Sequence, residues 1–563
     1  MGNSVASYNK KAKIWNGGKE VPVYDPDRSI GEAIFRTSLC FQISDSDGIS
    51  LTSGQALTAA IRIAEHFKKM GLHHEDVIGV LARNTTYLMP MSLACFFNCT
   101  PFHNLLTFPT IASSIETLTN ILALTKPRVI FCDGQDYDKI LRVSKSFKPL
   151  IYTLCDHIEG MPKVDDLLEP SGTESCYSPQ PLAVGGRQTV AILCSSGTTG
   201  FPKAICISNN RIFYNLYNFS QEDVLYVASA LDWLSGVIFC IACCLYGCTR
   251  LISSKPYSTE SFIDMVRRHK VTICFLPPRH VALIFKCSSA TFENLATIRM
   301  FSVGSSFIAS STVQRLQNLL KNSKVGSLYG LTEAGLLSSK IAMDGTNSVG
   351  NLLPGIRARI VDDDGNNLGP KKVGEIYATH GKPWNGYYGN PKDSFDIRDD
   401  EGWFRTGDIG YFDDNQLLYI VDRKKNILKY NGMQYWPTEI ENCIAEIPEV
   451  EDVCVVGIYD ESCGDAAGAL VVPVKGSLLN EQDIKDYVVE QLIMPHKQLN
   501  AGVLFVDRLP MNQNGKTIHK EAKVLFESGM ANKVRYSYSD GVGGTLRQKF
   551  AKKLSLEILN LLK

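Results

Sequence analysis

The sequence lacks an excess of either charge, because its 58 lysine and arginine residues are matched by 58 aspartate and glutamate residues. Broad electrostatic capture of nucleic acid needs clustered basic residues, so no nucleic-acid partner is expected. Long hydrophobic runs are also missing. The most apolar stretch, residues 237–247, is about half the length that a bilayer-spanning helix needs, and we expect a buried helix there.

Seventeen cysteines in a chain of 563 residues are too few for a disulfide scaffold. Several of them lie in apolar runs, such as Cys240, Cys243, Cys244 and Cys248. Such positions indicate small buried side chains in a reducing compartment. The cysteines and histidines do not form a set with zinc-ligand spacing. No internal repeat of about 20–50 residues is found, which excludes a solenoid.

The two ends of the chain carry little targeting information. The polar, basic start predicts no secretory signal peptide. The chain ends Leu-Leu-Lys rather than Ser-Lys-Leu, and we expect a cytoplasmic or peroxisomal location.

Residues 545–563 place apolar side chains on one helical face, and residues 531–563 contain seven basic and two acidic residues. This tail allows a weak membrane-surface contact, but a helix docked on its own protein or a disordered end is favoured.

Short β-branched runs alternate with helical patterns along the first four hundred residues. One example is the apolar run 77–81, which follows apolar residues at helical spacing in 59–67. This alternation predicts an α/β fold of βαβ units, with largely parallel sheets covered by helices. Near residue 360 a strand runs into an Asp-Gly turn, which is a hairpin signal.

The pattern changes to a shorter α+β arrangement after Asp422. Thr438 and Glu441 have capping-box spacing, and residues 480–492 form an amphipathic helical pattern. We therefore expect three parts along the chain: an N-terminal domain at 1–422, a C-terminal domain at 423–532, and a linker with a basic tail at 533–563. His380 and His496 have no partnered nucleophile motif and are predicted to be surface residues.

The strongest local signal is a loop rich in glycine and hydroxyl groups that runs from Cys194 to Lys203, directly after an apolar run. Its glycines allow tight turns, and its hydroxyls and backbone N–H groups can surround an anion. These residues are Ser195, Ser196, Gly197, Thr198, Thr199 and Gly200, and Lys203 adds a positive charge. Pro202 separates the last glycine from the lysine, so the loop is not a Walker motif. A surface linker has the same composition but fits poorly between two apolar strands.

This loop resembles the phosphate-binding signature of the adenylate-forming superfamily, which contains acyl- and aryl-CoA synthetases, peptide-synthetase adenylation domains and beetle luciferases. Further motifs follow in the order typical of that superfamily. They are Tyr329-Gly330-Leu331-Thr332-Glu333, the segment from Gly402 to Asp408, Asp422 with Arg423, the segment from Lys429 to Gly432, and Asn514-Gly515-Lys516. The sequence is most similar to the luciferase and coumarate-CoA-ligase-like branch.

The resemblance implies a fold and a reaction. The fold is a large N-terminal domain of βαβ-built sheets with a barrel-like β part, followed by a small mobile α+β domain that swings about Asp422 and Arg423. The reaction joins a carboxylic acid to ATP, giving acyl-AMP and pyrophosphate, and then transfers the acyl group to the thiol of CoA. ATP, Mg²⁺ and CoA are the small molecules that the resemblance implies.

The resemblance also implies roles for individual residues. Ser195 to Lys203 hold the β- and γ-phosphates of ATP, and Thr332 contacts the α-phosphate. Ser305 lies beside the adenine-binding backbone, and Tyr329 with Gly330 packs on adenine. Glu333 binds magnesium. Asp408 accepts hydrogen bonds from the ribose hydroxyls, with help from Arg423. Lys516 stands between the carboxylate of the acid and the α-phosphate. Lys429 and Gly432 lie on the face that is presented to CoA.

Some positions depart from the superfamily pattern, and they concern the acyl pocket that Gly304, Leu328 and Trp233 are expected to line. Trp233 stands where luciferases carry a histidine, and Phe307 replaces a usual proline. The bulky side chains of Trp233 and Leu328 would narrow or redirect an acyl tunnel, and an apolar fatty or aryl acid is expected. The alternatives are a luciferase-like monooxygenase, a peptide-synthetase adenylation module, and a catalytically silent homologue that binds acyl groups or nucleotides.

Overall fold

The computed structural model describes residues 6–20, 22–37, 40–105, 115–195, 202–212, 219–305, 310–341, 346, 348–511 and 517–539. The chain divides into two compact units, Met1–Ile420 and Val421–Lys563. The sequence prediction placed the division after Asp422. Among the described residues, no helix is both long enough and apolar enough to cross a membrane.

The larger unit contains three β-sheets. Its strands, in chain order, are β1 (Ser7–Asn9), β2 (Ile14–Asn16), β3 (Phe41–Ser44), β4 (Ile49–Leu51), β5 (Ile78–Leu81), β6 (Phe102–Asn104), β7 (Val129–Cys132), β8 (Leu150–Thr153), β9 (Thr189–Cys194), β10 (Ala204–Ser208), β11 (Val224–Val227), β12 (Thr249–Ile252), β13 (Ile273–Leu276), β14 (Met300–Gly304), β15 (Lys324–Leu331), β16 (Gly335–Lys340), β17 (Asn351–Leu352), β18 (Arg357–Val361), β19 (Asn367–Leu368), β20 (Gly374–Thr379), β21 (Phe404–Phe412) and β22 (Leu418–Arg423), the last of which crosses into the second unit.

The α-helices of this unit connect and cover the sheets. They are α1 (Ile30–Thr37), α2 (Ser53–Lys69), α3 (Leu88–Phe97), α4 (Ile115–Thr125), α5 (Tyr137–Val143), α6 (Leu234–Tyr246), α7 (Thr259–His269), α8 (Pro278–Ile284), α9 (Phe292–Leu295), α10 (Ser310–Leu319) and α11 (Pro391–Asp396). The predicted buried helix at 237–247 is confirmed as α6, which is buried along most of its length.

Two of the sheets are largely parallel, as the alternating pattern predicted. One has the order β10-β9-β6-β5-β7-β8, with only β10 antiparallel to its neighbour, and the other has the order β17-β16-β15-β14-β13-β11-β12-β3-β4. The predicted strand at 77–81 is β5, whose four residues are all buried. Strands covered on both faces read as continuous apolar runs because neither face meets water.

The third sheet has the order β1-β2-β18-β20-β21-β22, with β19 paired to β18. The pairings among β1, β2, β18, β19, β20 and β21 are antiparallel. The predicted Asp-Gly hairpin is confirmed by β18 and β19, where the Asp362 carboxylate accepts hydrogen bonds from the backbone N–H groups of Asp364 and Asn366. Trp15 packs in this sheet between Tyr8 and Phe412, with ring centroids 4.6 and 4.4 Å away.

The smaller unit is an α+β sandwich of helices on both faces of one sheet. Its elements are β23 (Leu428–Tyr430), β24 (Met433–Tyr435), α12 (Pro437–Ile444), β25 (Val450–Asp460), β26 (Gly464–Pro473), α13 (Glu481–Gln491), β27 (Gly502–Phe505) and α14 (His519–Ser539). The sheet order is β24-β23-β26-β25, and β27 lies parallel to β26. Alternate residues of β25 face opposite clusters, so Val455 packs with α12 and α13 while Cys454 packs on the side of α14.

One prediction about a helix start in this unit needs correction. The capping box at Thr438 is wrong, because α12 begins at Pro437 and Glu441 turns inward to accept the backbone N–H of Val455 at 2.8 Å. The Asp422 carboxylate accepts the backbone N–H of Thr438 instead.

A second correction concerns His496. This residue is buried, with 9% of its surface exposed, rather than a surface residue. It lies in a short 3₁₀ turn, Pro495–Lys497, between α13 and β27. Apolar Ile493 and Met494 precede it and polar Lys497 and Gln498 follow it, so local composition gave no clear signal of burial.

Trp15 provides a test of the packing in the third sheet. Trp15→Ala should lower the free energy of unfolding by about 3–5 kcal/mol, because it empties a fully buried aromatic site. Trp15→Phe should cost under about 1.5 kcal/mol, since it keeps a ring in the stack and the indole N–H has no hydrogen-bond partner among the described residues. Urea unfolding of both variants would measure the difference, and equal losses would contradict this account.

Candidate active site

The predicted phosphate-binding loop is closed at its base by two hydrogen bonds. Strands β9 and β10 pair in antiparallel register, so Ser195 and Lys203 stand opposite each other where the strands end. The backbone N–H of Ser195 donates to the carbonyl of Lys203 at 2.9 Å, and the backbone N–H of Lys203 donates to Oγ of Ser195 at 2.8 Å. Ser196, Gly197, Thr198, Thr199 and Gly200 lie outside the described residues.

The side chain of Lys203 is held by an anion and an aromatic ring. Its Nζ lies 2.7 Å from Oδ2 of Asp393 and 4.8 Å from the ring centroid of Tyr387. The hydrogen bond from Lys203 is the largest cause of a lowered pKa at Asp393. Asp393 lies in α11, whose N-cap Asn390 accepts the backbone N–H of Asp393.

Tyr387 connects this lysine to Glu333. Its hydroxyl donates to Oε1 of Glu333 at 2.9 Å, while its ring faces Lys203. Burial raises the pKa of Tyr387, and the neighbouring Glu333 carboxylate raises it further, so the phenol stays protonated and remains a donor. The predicted phosphate-loop lysine and the predicted metal-binding carboxylate are therefore brought together by one side chain.

Arg211 fixes the turn that carries Glu333. Its Nη2 donates to the backbone carbonyl of Glu333 at 2.7 Å, and its Nε donates to Nε2 of His380 at 2.7 Å. Burial, followed by the charges of Arg211 and Lys382, holds the pKa of His380 well below its usual range. The histidine is therefore neutral and can accept this hydrogen bond. The prediction that His380 is a surface residue is wrong, because its side chain is partly buried and its ring nitrogen is held by Arg211.

Tyr329 and Asp408 meet across two sheets. Tyr329 lies in β15 and Asp408 in β21, and the tyrosine hydroxyl lies 2.7 Å from Oδ2 of Asp408. Asp408 is buried, with 3% of its surface exposed. Gly330 follows in β15, and Thr332 and Glu333 form the turn between β15 and β16. These four motif residues and Asp408 therefore border one region at the end of β15.

Gly304 ends β14 beside this region and pairs with Leu328 of β15. A Cβ atom on Gly304 would lie 3.0 Å from the Leu328 carbonyl oxygen and from the Phe275 ring, so a side chain there would force these neighbours to shift. Ser305 follows with φ of 82°, a left-handed conformation that costs a non-glycine residue roughly 1–3 kcal/mol. Such strain is concentrated at functional sites.

Trp233 is the N-cap residue of α6 and is partly buried. It packs against the cluster that contains Cys194 and Ala204, the residues next to the phosphate loop. Its indole Nε1 is buried and has no hydrogen-bond partner in the described part of the chain. The predicted acyl-pocket tryptophan thus packs on the same apolar cluster as the residues at the base of the loop.

The remaining predicted residues belong to the smaller unit or lie outside the described residues. Arg423 ends β22, Lys429 is exposed in β23, and Gly432 has φ of 79° in the turn to β24, where a Cβ atom would meet nothing within 4 Å. Lys516, like Phe307, lies outside the described residues.

Sequence reasoning missed Tyr387, Asp393 and Arg211. Tyr387 lies in Gly386-Tyr387-Tyr388-Gly389-Asn390-Pro391, a turn-rich segment that leads into α11, the capped helix that carries Asp393. That composition is a turn signal, but nothing local relates it to the phosphate loop. Backbone hydrogen bonds bring it there: Cys206 N–H donates to Gly386, and Tyr388 N–H donates to Ala204.

Residues 33–388 match the family model of the AMP-binding enzymes, and residues 439–516 match the model of the AMP-binding enzyme C-terminal domain. The chain belongs to the AMP-binding enzyme family. This confirms the resemblance found in the sequence, and the predicted mixed α/β fold is confirmed with it.

Individual relatives cover nearly the whole chain at low identity. A 4-coumarate–CoA ligase 3 of Oryza sativa subsp. japonica is 26% identical over 92% of this chain and 96% of its own length. A luciferin 4-monooxygenase of Photuris pensylvanica is 26% identical over 84% of this chain and 89% of its own length. The crystal structure of ATP-bound MatB from Rhodopseudomonas palustris matches with a TM-score of 0.78 and 23% identity, over 88% of this chain and 98% of that one.

Proposed function

We propose that this AMP-binding enzyme is an ATP-dependent acid–thiol ligase that acts on an apolar fatty or aryl acid, with CoA as the thiol. In the first step a carboxylate oxygen bonds to the α-phosphorus of ATP, and the bond to the bridging oxygen breaks to release pyrophosphate. In the second step the CoA sulfur bonds to the acyl carbon, the bond to the phosphate oxygen breaks, and AMP leaves with both electrons of that bond.

One observation carries the proposal: Lys203, Tyr387 and Glu333 form a continuous set of contacts at the base of the phosphate loop. A cation for phosphate oxygens and a carboxylate for a hard metal ion stand on either side of one tyrosine. Both groups are fixed by neighbours before a nucleotide arrives, and such preorganisation is what phosphoryl and nucleotidyl transfer require.

Lys203 would bind the β- and γ-phosphates together with the loop that begins at Ser195. Its charge is balanced by Asp393, which lies 2.7 Å away. Both side chains are partly exposed, so the pair contributes little to stability and can be exchanged for a phosphate contact. Tyr329 and Asp408 would bind the adenine and ribose on the other side.

The residues present fit a magnesium ion. Mg²⁺ is held in nucleotide sites by one or two carboxylates together with phosphate oxygens, and Glu333 offers a carboxylate whose Oε1 is fixed by Tyr387. Thr332 is the adjacent residue and would contact the α-phosphate. The ion would neutralise charge on the phosphates, while Arg211 keeps the Glu333 turn in place through its backbone carbonyl.

The smaller unit would supply one lysine for each step. Lys516 would stand between the carboxylate and the α-phosphate, where a positive charge lowers the repulsion between two anions. Lys429 and Gly432 would face CoA, since Lys429 is exposed and the positive φ of Gly432 leaves the backbone without a side chain. The name of the coumarate–CoA ligase relative supports CoA as the acceptor.

An apolar acid is favoured by the residues near the loop. Trp233 and Leu328 are partly buried and pack against apolar clusters, so an acyl group beside them would gain roughly 25 cal/mol per Å² of apolar surface removed from water. A luciferase-like oxidation uses the same adenylate, but Trp233 stands where luciferases carry a histidine. A panel of fatty, aryl and dicarboxylic acids, scored by pyrophosphate release with and without CoA, tests the proposal directly.

In that panel we expect ATP-dependent pyrophosphate release with apolar acids and thioester formation only when CoA is added. Release that requires oxygen rather than CoA would replace the ligase proposal with a luciferase-like one. ATP binding without turnover of any acid would indicate a silent binding protein.

Lys516→Ala should abolish acyl-AMP formation but leave ATP binding intact, because the lysine acts on the attacking anion rather than on the bound nucleotide. Lys520→Ala, which changes an exposed lysine close by, is the matched control and should retain activity. Pyrophosphate release and equilibrium nucleotide binding measure the two effects. Full adenylation by Lys516→Ala would refute the assignment.

Tyr387→Phe should raise the Mg²⁺ concentration for half-maximal pyrophosphate release roughly tenfold, because hydrogen bonds to charged groups contribute about 1.5–3 kcal/mol. The variant keeps the ring beside Lys203 and removes only the donor to Glu333. Tyr388→Phe removes the neighbouring hydroxyl as a control and should leave the magnesium dependence unchanged. A similar shift in both variants would argue against the role of Tyr387.

Trp233→Ala should move the optimum of kcat/KM toward longer or bulkier acids, because it removes a large side chain from the pocket. Trp233→Phe keeps a ring and should shift the optimum less. A chain-length series measured for each variant would test this. An unchanged optimum with a uniform loss of activity would show that Trp233 does not contact the acid.

A further inference from the structure

Three potential metal ligands meet in the smaller unit, and none of them has a role in the proposed reaction. They are Glu441 of α12, Cys454 of β25 and His519, the first residue of α14. One ligand atom from each lies within 4.8 Å of the other two. They come from positions far apart in the sequence, which is why no zinc-ligand spacing was visible there.

The separations suit a tetrahedral ion. Sγ of Cys454 lies 3.7 Å from Nδ1 of His519. Zinc binds cysteine sulfur at about 2.3 Å and histidine nitrogen at about 2.0–2.1 Å, so two such ligands of a tetrahedral ion stand about 3.6 Å apart. A thiol, an imidazole and a carboxylate favour zinc or a similar borderline-soft ion over magnesium or calcium, which prefer oxygen ligands alone.

The surroundings hold the ligands in place. Oε1 of Glu441 accepts the backbone N–H of Val455 at 2.8 Å, which orients the carboxylate toward β25. Cys454 is 1% exposed on β25, which pairs with β26, whereas His519 is exposed. The cluster is therefore rigid on its inner side and reachable from solvent on its outer side, where water can complete the coordination.

We propose that Glu441, Cys454 and His519 bind one zinc ion or another borderline-soft divalent ion, with water as the fourth ligand. Burial raises the pKa of Glu441 to about 8 and also raises the pKa of the Cys454 thiol, so both groups carry protons at neutral pH. Coordination releases both protons to solvent, and the sulfur and oxygen lone pairs bind the ion.

The ion would join three elements at one point. Its ligands come from α12, β25 and the start of α14, so binding would fix the first turn of α14 against the sheet. His519 follows Lys516 by three positions in the sequence. The metal would therefore restrain the chain just after the lysine that the proposed adenylation step requires.

Cobalt(II) gives a direct readout, because a bound thiolate produces a sulfur-to-cobalt charge-transfer band and tetrahedral geometry intensifies the visible bands. Full-length protein that has been treated with a chelator should develop these bands up to one equivalent of cobalt, and zinc should abolish them. Cys454→Ser should not develop the charge-transfer band. Cys463→Ser, which changes a partly exposed cysteine of the same unit, is the matched control and should develop it fully.

His519→Ala should weaken binding by more than about tenfold in competition with a metal indicator, since even lost supporting contacts weaken metal sites about 10–100-fold. Circular dichroism of each variant checks that the fold is retained. The proposal is overturned if one equivalent of cobalt gives no charge-transfer band, or if the band persists in Cys454→Ser. Either result would leave the cluster as a hydrogen-bonded thiol, imidazole and carboxyl group. Neither bears on pyrophosphate release.

Discussion

The candidate site depends on keeping a lysine ammonium and a glutamate carboxylate close without letting them neutralise each other. Tyr387 stands between them, with its ring toward Lys203 and its hydroxyl toward Glu333. A direct ion pair would leave neither group available to a nucleotide. Tyr387 positions both charges, because its ring contacts the lysine and its hydroxyl binds the carboxylate. Asp393 balances the charge of Lys203 where the pair is partly exposed, so water screens their attraction.

The architecture explains how these groups come together. Two largely parallel sheets end near one another, and irregular segments at their ends carry the polar residues. The β9–β10 hairpin supplies Ser195 and Lys203, and the β15–β16 turn supplies Glu333. The turn-rich segment before α11 packs along β10 through backbone hydrogen bonds and places Tyr387 between them. Rigid sheets below irregular segments are an arrangement that allows substrate specificity to change without loss of the fold.

Polar groups that contact one another in the molecule fall into two kinds. Some stabilise position, such as neutral His380, which accepts from Arg211 so that the arginine can hold the Glu333 carbonyl. Others bring together several types of metal-binding group that local packing does not require, such as the thiol, imidazole and carboxyl group of the smaller unit. The second kind carries the metal proposal, because a thiol, an imidazole and a carboxyl group lie close enough together to share one ion.

The sequence by itself determined the α/β class, the buried helix α6, the Asp-Gly hairpin and the family, because periodicity, turn chemistry and ordered motifs are local properties. It misplaced His380 and His496 and the start of α12, since burial depends on partners distant in the chain. Only the tertiary structure joined Tyr387 to Glu333 and Cys454 to His519. Side chains separated by 54 and 65 positions meet through sheet pairing and helix packing, which no local pattern encodes.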